Sequence, residues 1–153
     1  YVPEYAKELV WDENYEALVD QESIFEEQAY RINRLVGKVD VIVTDSPILF
    51  SEIYGENNSN DFRARIWDEH NSHNNLNLFI NRGSTFEQQV RIHNLEESKE
   101  KDNEIKQMLD EHSVYYGNYY HRTVPVIIDN IVKTLNRIQA YTEQDVDDEE
   151  MEL

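Results

Sequence analysis

The alternation of apolar and polar positions changes period several times along the chain. Val39-Asp-Val-Ile-Val-Thr44 is a short β-branched run with apolar residues on both faces, a pattern that predicts a strand buried inside a parallel sheet. It ends at Asp45-Ser46-Pro47, where proline cannot continue a ladder. Upstream, Ile24, Phe25, Gln28, Ile32 and Leu35 recur at helical spacing over Asp20–Val36, with Asp20 placed to cap the start and Gly37 to end the helix. Tyr1–Glu4 reads as the end of an earlier strand, and Ala6–Val10 as the opening of a short helix.

Beyond the Asp45 turn, Glu56–Asn60 is a loop. Asp61–Asn71 is a helix with Phe62, Ile66 and Trp67 inward, and Leu76–Ile80 is a strand. Arg82–Asn94 has no clear period and reads as a loop or lid. Asn94-Leu-Glu-Glu97 has capping-box form and opens a helix with Ile105, Met108 and Leu109 on its inner face. Ser113–Tyr119 is the last strand, interrupted at Gly117. Thr123 can cap a final helix carrying the stripe Val124, Ile127, Ile128, Ile131, Leu135 and Ile138. Strands alternating with helices predict an α/β fold, a parallel sheet with helices on both faces over residues 1–140. In such a sheet ligands sit beyond the carboxyl ends of the strands, where Glu4, Asp45 and Arg82 all fall.

The composition narrows the function. The 153 residues carry a formal charge of −18, which opposes nucleic-acid binding and favours a basic protein partner on the acidic surface. Residues 141–153 concentrate part of this charge and predict a disordered acidic tail. There is no cysteine, no visible signal peptide and no apolar run approaching the roughly 20 residues that cross a bilayer, so a cytoplasmic protein is expected.

Three segments carry a resemblance: Val2-Pro-Glu-Tyr-Ala-Lys-Glu-Leu-Val10, Asp20-Gln-x-x-Ile-Phe-x-x-Gln28 and Val39-Asp-Val-Ile-Val-Thr-Asp-Ser-Pro-Ile48. They resemble the phage and bacterial ATP-binding proteins of the P-loop nucleotide-kinase superfamily. Asn74-Asn-Leu-Asn-Leu-Phe-Ile-Asn-Arg82 and Gln89–Leu109 are similar to the fourth strand and lid of that group. The likeness spans about Tyr1–Arg137 and implies a nucleotide or deoxynucleoside kinase-like protein using Mg²⁺ and ATP. It implies Asp45 as the metal-binding or general-base carboxylate, Arg82 and Arg91 as lid cations on the phosphates, and Glu4, Gln28 and Arg31 as acceptor contacts.

The family's G-x-x-x-x-G-K-[ST] loop has no counterpart here, since no glycine precedes Gly37. Without it no backbone nest cradles phosphates. The expectation is therefore that this chain alone does not transfer phosphate, and that the loop lies upstream or catalysis has been lost. The alternative is an inactive kinase-like module that binds a protein, such as a phage-encoded inhibitor of a host protein.

Each candidate also has a plainer reading. Asp45 can cap a turn, Glu4 can favour a helix dipole, Gln28 can be a satisfied core amide, and Arg31 a surface arginine. Arg82 and Arg91, like the weaker candidates Arg63 and Arg65, can form surface ion pairs. His70 and His73, three apart with Glu69 beside them, have partial metal-ligand spacing without a convincing third ligand, and the tyrosines at 115, 116, 119 and 120 suit packing as well as stacking.

Overall fold

The computed structural model describes residues 1–55, 57–81, 95–120, 123 and 125–137. Its helices are α1 (Tyr5–Trp11), a 3₁₀ turn (Tyr15–Val19), α2 (Gln21–Asn33), α3 (Phe50–Tyr54), α4 (Asn60–Asn71), α5 (Leu95–Glu111) and α6 (residues 125–137). Its strands are β1 (Asn77–Asn81) and β2 (Tyr116–Tyr120). The chain is thus a mixed helix and strand protein, and it divides into two units, 1–76 with 96–114 and 77–95 with 115–153.

The first unit is built around α2. Asp20 caps this helix by accepting from the Ser23 amide at 3.1 Å, the role its short polar side chain suits. The inward face buries Ile24, Phe25, Gln28, Ala29 and Ile32. Phe25 meets Phe62 of α4 edge to face, with centroids 5.4 Å apart, and Ile66, the next residue along that face of α4, is fully buried. Arg65 reaches back across the same seam to Glu22 and Glu26. Ser59 caps α4 through the Phe62 amide. After α2, Gly37 takes φ +71°, the left-handed conformation that glycine adopts without a Cβ penalty.

One expectation fails here. Val39–Thr44 is not a buried strand. Its one backbone pairing among the described residues is a parallel bridge between Thr44 and Val2, with the Val2 amide donating to the Val43 carbonyl at 2.8 Å. Val39, Val41 and Val43 are 49%, 42% and 57% exposed. The β-branched pattern reports a run suited to burial, but burial needs a neighbour along each edge. The bridge at Val2 supplies one, at one end only.

In the second unit β1 and β2 pair in parallel, from Asn77 opposite Tyr116 to Asn81 opposite Tyr120. Asn81 crosses between the strands, donating to Asn118 and to the Tyr119 carbonyl. Gly117 lies within β2 rather than interrupting it. The Thr123 hydroxyl donates to the Tyr120 carbonyl at 2.6 Å. On α6, Ile127 is buried while Val126, Ile128 and Val132 are exposed. The proposed lid and acidic tail lie outside the described residues.

Candidate functional site

The bridge between Val2 and Thr44 determines where the chemistry gathers. Two residues past Val2 comes Glu4, and one past Thr44 comes Asp45, so both carboxylates follow parallel-paired chain segments at their carboxyl ends. Glu4 occupies the N-cap position of α1, yet its side chain makes no capping hydrogen bond. Its pKa is raised, first by burial and then by the negative charge of Asp45, with Lys7 opposing. Asp45 is exposed. The Tyr1 hydroxyl is also pushed up, first by its hydrogen bond to Asp45.

Gln28 ties the two turns together. It is 3% exposed. Its Oε1 accepts from the Tyr5 amide at 3.1 Å, the residue after Glu4. Its Nε2 donates to Thr44 Oγ1 at 3.4 Å, the residue before Asp45. Thr44 Oγ1 in turn accepts from the Ser46 amide at 3.1 Å, bracketing Asp45. A single buried amide therefore uses its donor and its acceptor to hold two carboxylate-bearing turns.

Arg31 stands one turn along α2. Its guanidinium forms a bidentate pair with Glu8 at 2.8 Å and 2.8 Å and a third bond to Glu27 at 2.7 Å. It also lies over the Tyr5 ring, 4.8 Å from the centroid. These contacts hold its pKa above the usual arginine range, chiefly through Glu8, and pull the Glu8 carboxyl below its usual value. Arg31 thus clamps α1 to α2, and a phosphate approaching it would compete with Glu8. Arg82 and Arg91 lie outside the described residues. Arg63 pairs with Glu52.

His70 is buried, and its pKa is lowered by that burial and then by His73. Its ring meets Trp67 edge to face, while His112 stacks on Trp67 at 3.9 Å. His73 bonds Glu69 at 3.1 Å. Among the described residues no group of three metal-ligating side chains occurs, and no helix is long and apolar enough to cross a membrane. Glu4 and Asp45 are a two-carboxylate set. That number suits Mg²⁺, which keeps several waters and is held by one or two carboxylates together with substrate phosphates.

Sequence reasoning placed Glu4 and Asp45 at one rim and singled out Gln28, but not the bonds by which Gln28 links the two turns. Thr44 was missed as a positioning group, although a hydroxyl directly before Asp45 was its signal. Tyr1 carried no signal. Comparison of the chain with family models, with curated proteins and with solved structures finds no match.

Proposed function

We propose that this chain is a nucleotide or deoxynucleoside kinase-like α/β protein, with helices on both faces of a parallel sheet. The observation that supports the reading is the carboxylate pair Glu4–Asp45 just past a parallel bridge, where ligands of such sheets bind. Asp45, exposed beside the half-buried Glu4, would hold Mg²⁺ or accept the acceptor proton, and the ion would neutralise phosphate charge. Glu4, with its raised pKa, would hold a proton near the acceptor more readily than an ordinary glutamate. Arg82 and Arg91 would cover the phosphates. Turnover is expected only of a protein that also carries a phosphate-cradling loop, because positioning and charge stabilisation make up most of phosphoryl-transfer catalysis.

The test is a titration of isotopically labelled protein with Mn²⁺ in place of Mg²⁺. Paramagnetic broadening centred on Glu4, Thr44 and Asp45, and lost in Asp45→Asn, supports the reading. Broadening spread evenly over the acidic surface rejects it. A second reading, a kinase-like module that binds a protein through its acidic surface, is favoured by the uncovered valines of 39–43.

A further inference from the structure

We propose that residues 41–44, the run that follows the bend at 39–40 and ends at the Val2 bridge, form an open edge that accepts an extended, β-branched peptide bearing a cationic side chain at the end beside Asp45. This goes beyond phosphoryl transfer and requires no catalysis. Three observations carry it. First, Val41 and Val43 stand at alternate positions of the run and are 42% and 57% exposed, with Val39, in the bend before them, 49% exposed. Second, among the described residues the backbone groups of Asp40, Val41 and Ile42 make no backbone hydrogen bond, whereas the carboxyl end of the same run is anchored by the Val2 amide on Val43 and by Gln28 on Thr44. An added strand pairs such groups and covers alternate side chains, which is how extended peptides dock on sheet edges. Third, the charges are asymmetric. Lys38 and Asp40 precede the run, and Asp45 with Glu4 stands at its carboxyl end.

The charge also decides the occupant. A second copy of this chain would bring a further formal charge of −18 to the edge and set Asp40 close to its own twin in a symmetric pairing. Like charges near one another on paired strands are destabilising. A cationic strand meets attraction at the same place, and its association is salt-sensitive.

The probe is a fluorescently tagged Thr-Val-Ile-Val-Thr-Lys peptide, compared with the same peptide ending in glutamate and with one whose central isoleucine is proline. The lysine peptide is expected to bind at least tenfold tighter than the glutamate peptide at low salt, with the difference narrowing as salt rises. Amide exchange at Asp40 and Ile42 is expected to slow when it binds. Val41→Pro should abolish binding while α2 amides keep their protection, which separates loss of the edge from loss of the fold. The proposal is overturned if the lysine and glutamate peptides bind alike, if the proline peptide binds as well as the parent, or if exchange at 40–42 does not change on binding. It is also overturned if the free protein dimerises through 41–44, since a second copy is then the occupant. Loss of the Mn²⁺ signal at Asp45 would leave these outcomes unaffected, so the two readings fail independently.

Discussion

Replacing Gln28 by leucine keeps a buried side chain of similar volume and removes both polar contacts. The Tyr5 amide then loses its acceptor at 3.1 Å, and Thr44 Oγ1 loses a donor at 3.4 Å. The first loss dominates, because a buried donor left without a partner costs about 1–3 kcal/mol, whereas a 3.4 Å contact is near the limit of a hydrogen bond. Tyr5 is half-buried rather than fully buried, which places the cost near the lower end, about 1–2 kcal/mol. Leucine's apolar burial offsets a part of this. With a urea slope of roughly 1–3 kcal/mol per molar for a small domain, the unfolding midpoint falls by on the order of 1 M.

The companion variant, Gln28→Glu, separates the polar bond from the charge. Protonated glutamic acid can accept from Tyr5 and donate to Thr44, so in acid this variant should approach the parent. At neutral pH it adds a third carboxylate beside Glu4 and Asp45 and should be markedly less stable. Urea melts at several pH values, with the Glu4 pKa followed by NMR, check both variants. An unchanged midpoint for Gln28→Leu, or a Gln28→Glu penalty that does not vary with pH, refutes the role given to this amide.

Three further outcomes follow from the geometry. Glu4 has a raised folded pKa, so the folded state binds the proton more tightly than the unfolded chain; its contribution is fully present below the ordinary pKa and is lost as pH rises through the raised value. Glu4→Gln should therefore stabilise the protein at pH 7 and have little effect near pH 4, as read by thermal melts across that range. Arg31→Met retains the aliphatic stem over Tyr5 and should cost about 1 kcal/mol, discounted because the Glu8 carboxylate is partly exposed; since the Glu8 pKa is depressed, its stabilisation is present at neutral pH and lost as pH falls through the depressed value, so the cost should shrink in acid. Gly37→Ala meets nothing within 4 Å yet must adopt φ +71°, so a loss of roughly 1–2 kcal/mol in urea melts is expected from backbone conformation alone.

Where one element's own residues determine its structure, the sequence was readable. Asp20 and the apolar spacing at 24, 25, 28 and 32 define α2, but the helix ends at Asn33 with Arg34 as its C-cap, so Gly37 shapes the turn beyond it rather than closing the helix. The placement of Glu4 and Asp45 past neighbouring segments follows from the same local signals, although Tyr1–Glu4 forms a single bridge at Val2 rather than the end of a strand. Other features depend on partners distant along the chain. The β-branched run at 39–44 shows that two faces suit burial but does not show how many neighbours will cover them. Arg31 finds Glu8, 23 positions away, and nothing in either residue's surroundings indicates it. The five-residue α3 has no capping hydrogen bond from its N-cap, Leu49, and no long stripe, and it left no readable signal. Thr123 was assigned as a cap because its type fits one, and its hydroxyl bonds the Tyr120 carbonyl, a contact its type does not announce.

The acid pair and the open edge share one segment but are held by different bonds. Gln28 and the Val2 bridge secure Thr44 and its neighbours, so Asp45 is positioned whether or not anything pairs with 39–42. Val39 and Val41, in contrast, lie upstream of those anchors, whereas Val43 is itself held through its carbonyl by the Val2 amide. A strand seated on the edge would remove water from the approach to Glu4 and Asp45, and lower polarity strengthens both the attraction of a carboxylate pair for a cation and the repulsion within the pair. The occupied edge should therefore raise the Glu4 pKa further unless the occupant's own cation lies against the pair, in which case it should fall. The sign of that shift on peptide binding reports whether the lysine reaches the carboxylates or merely remains nearby in solution. It links the two sites by a measurement that neither stability nor affinity alone supplies.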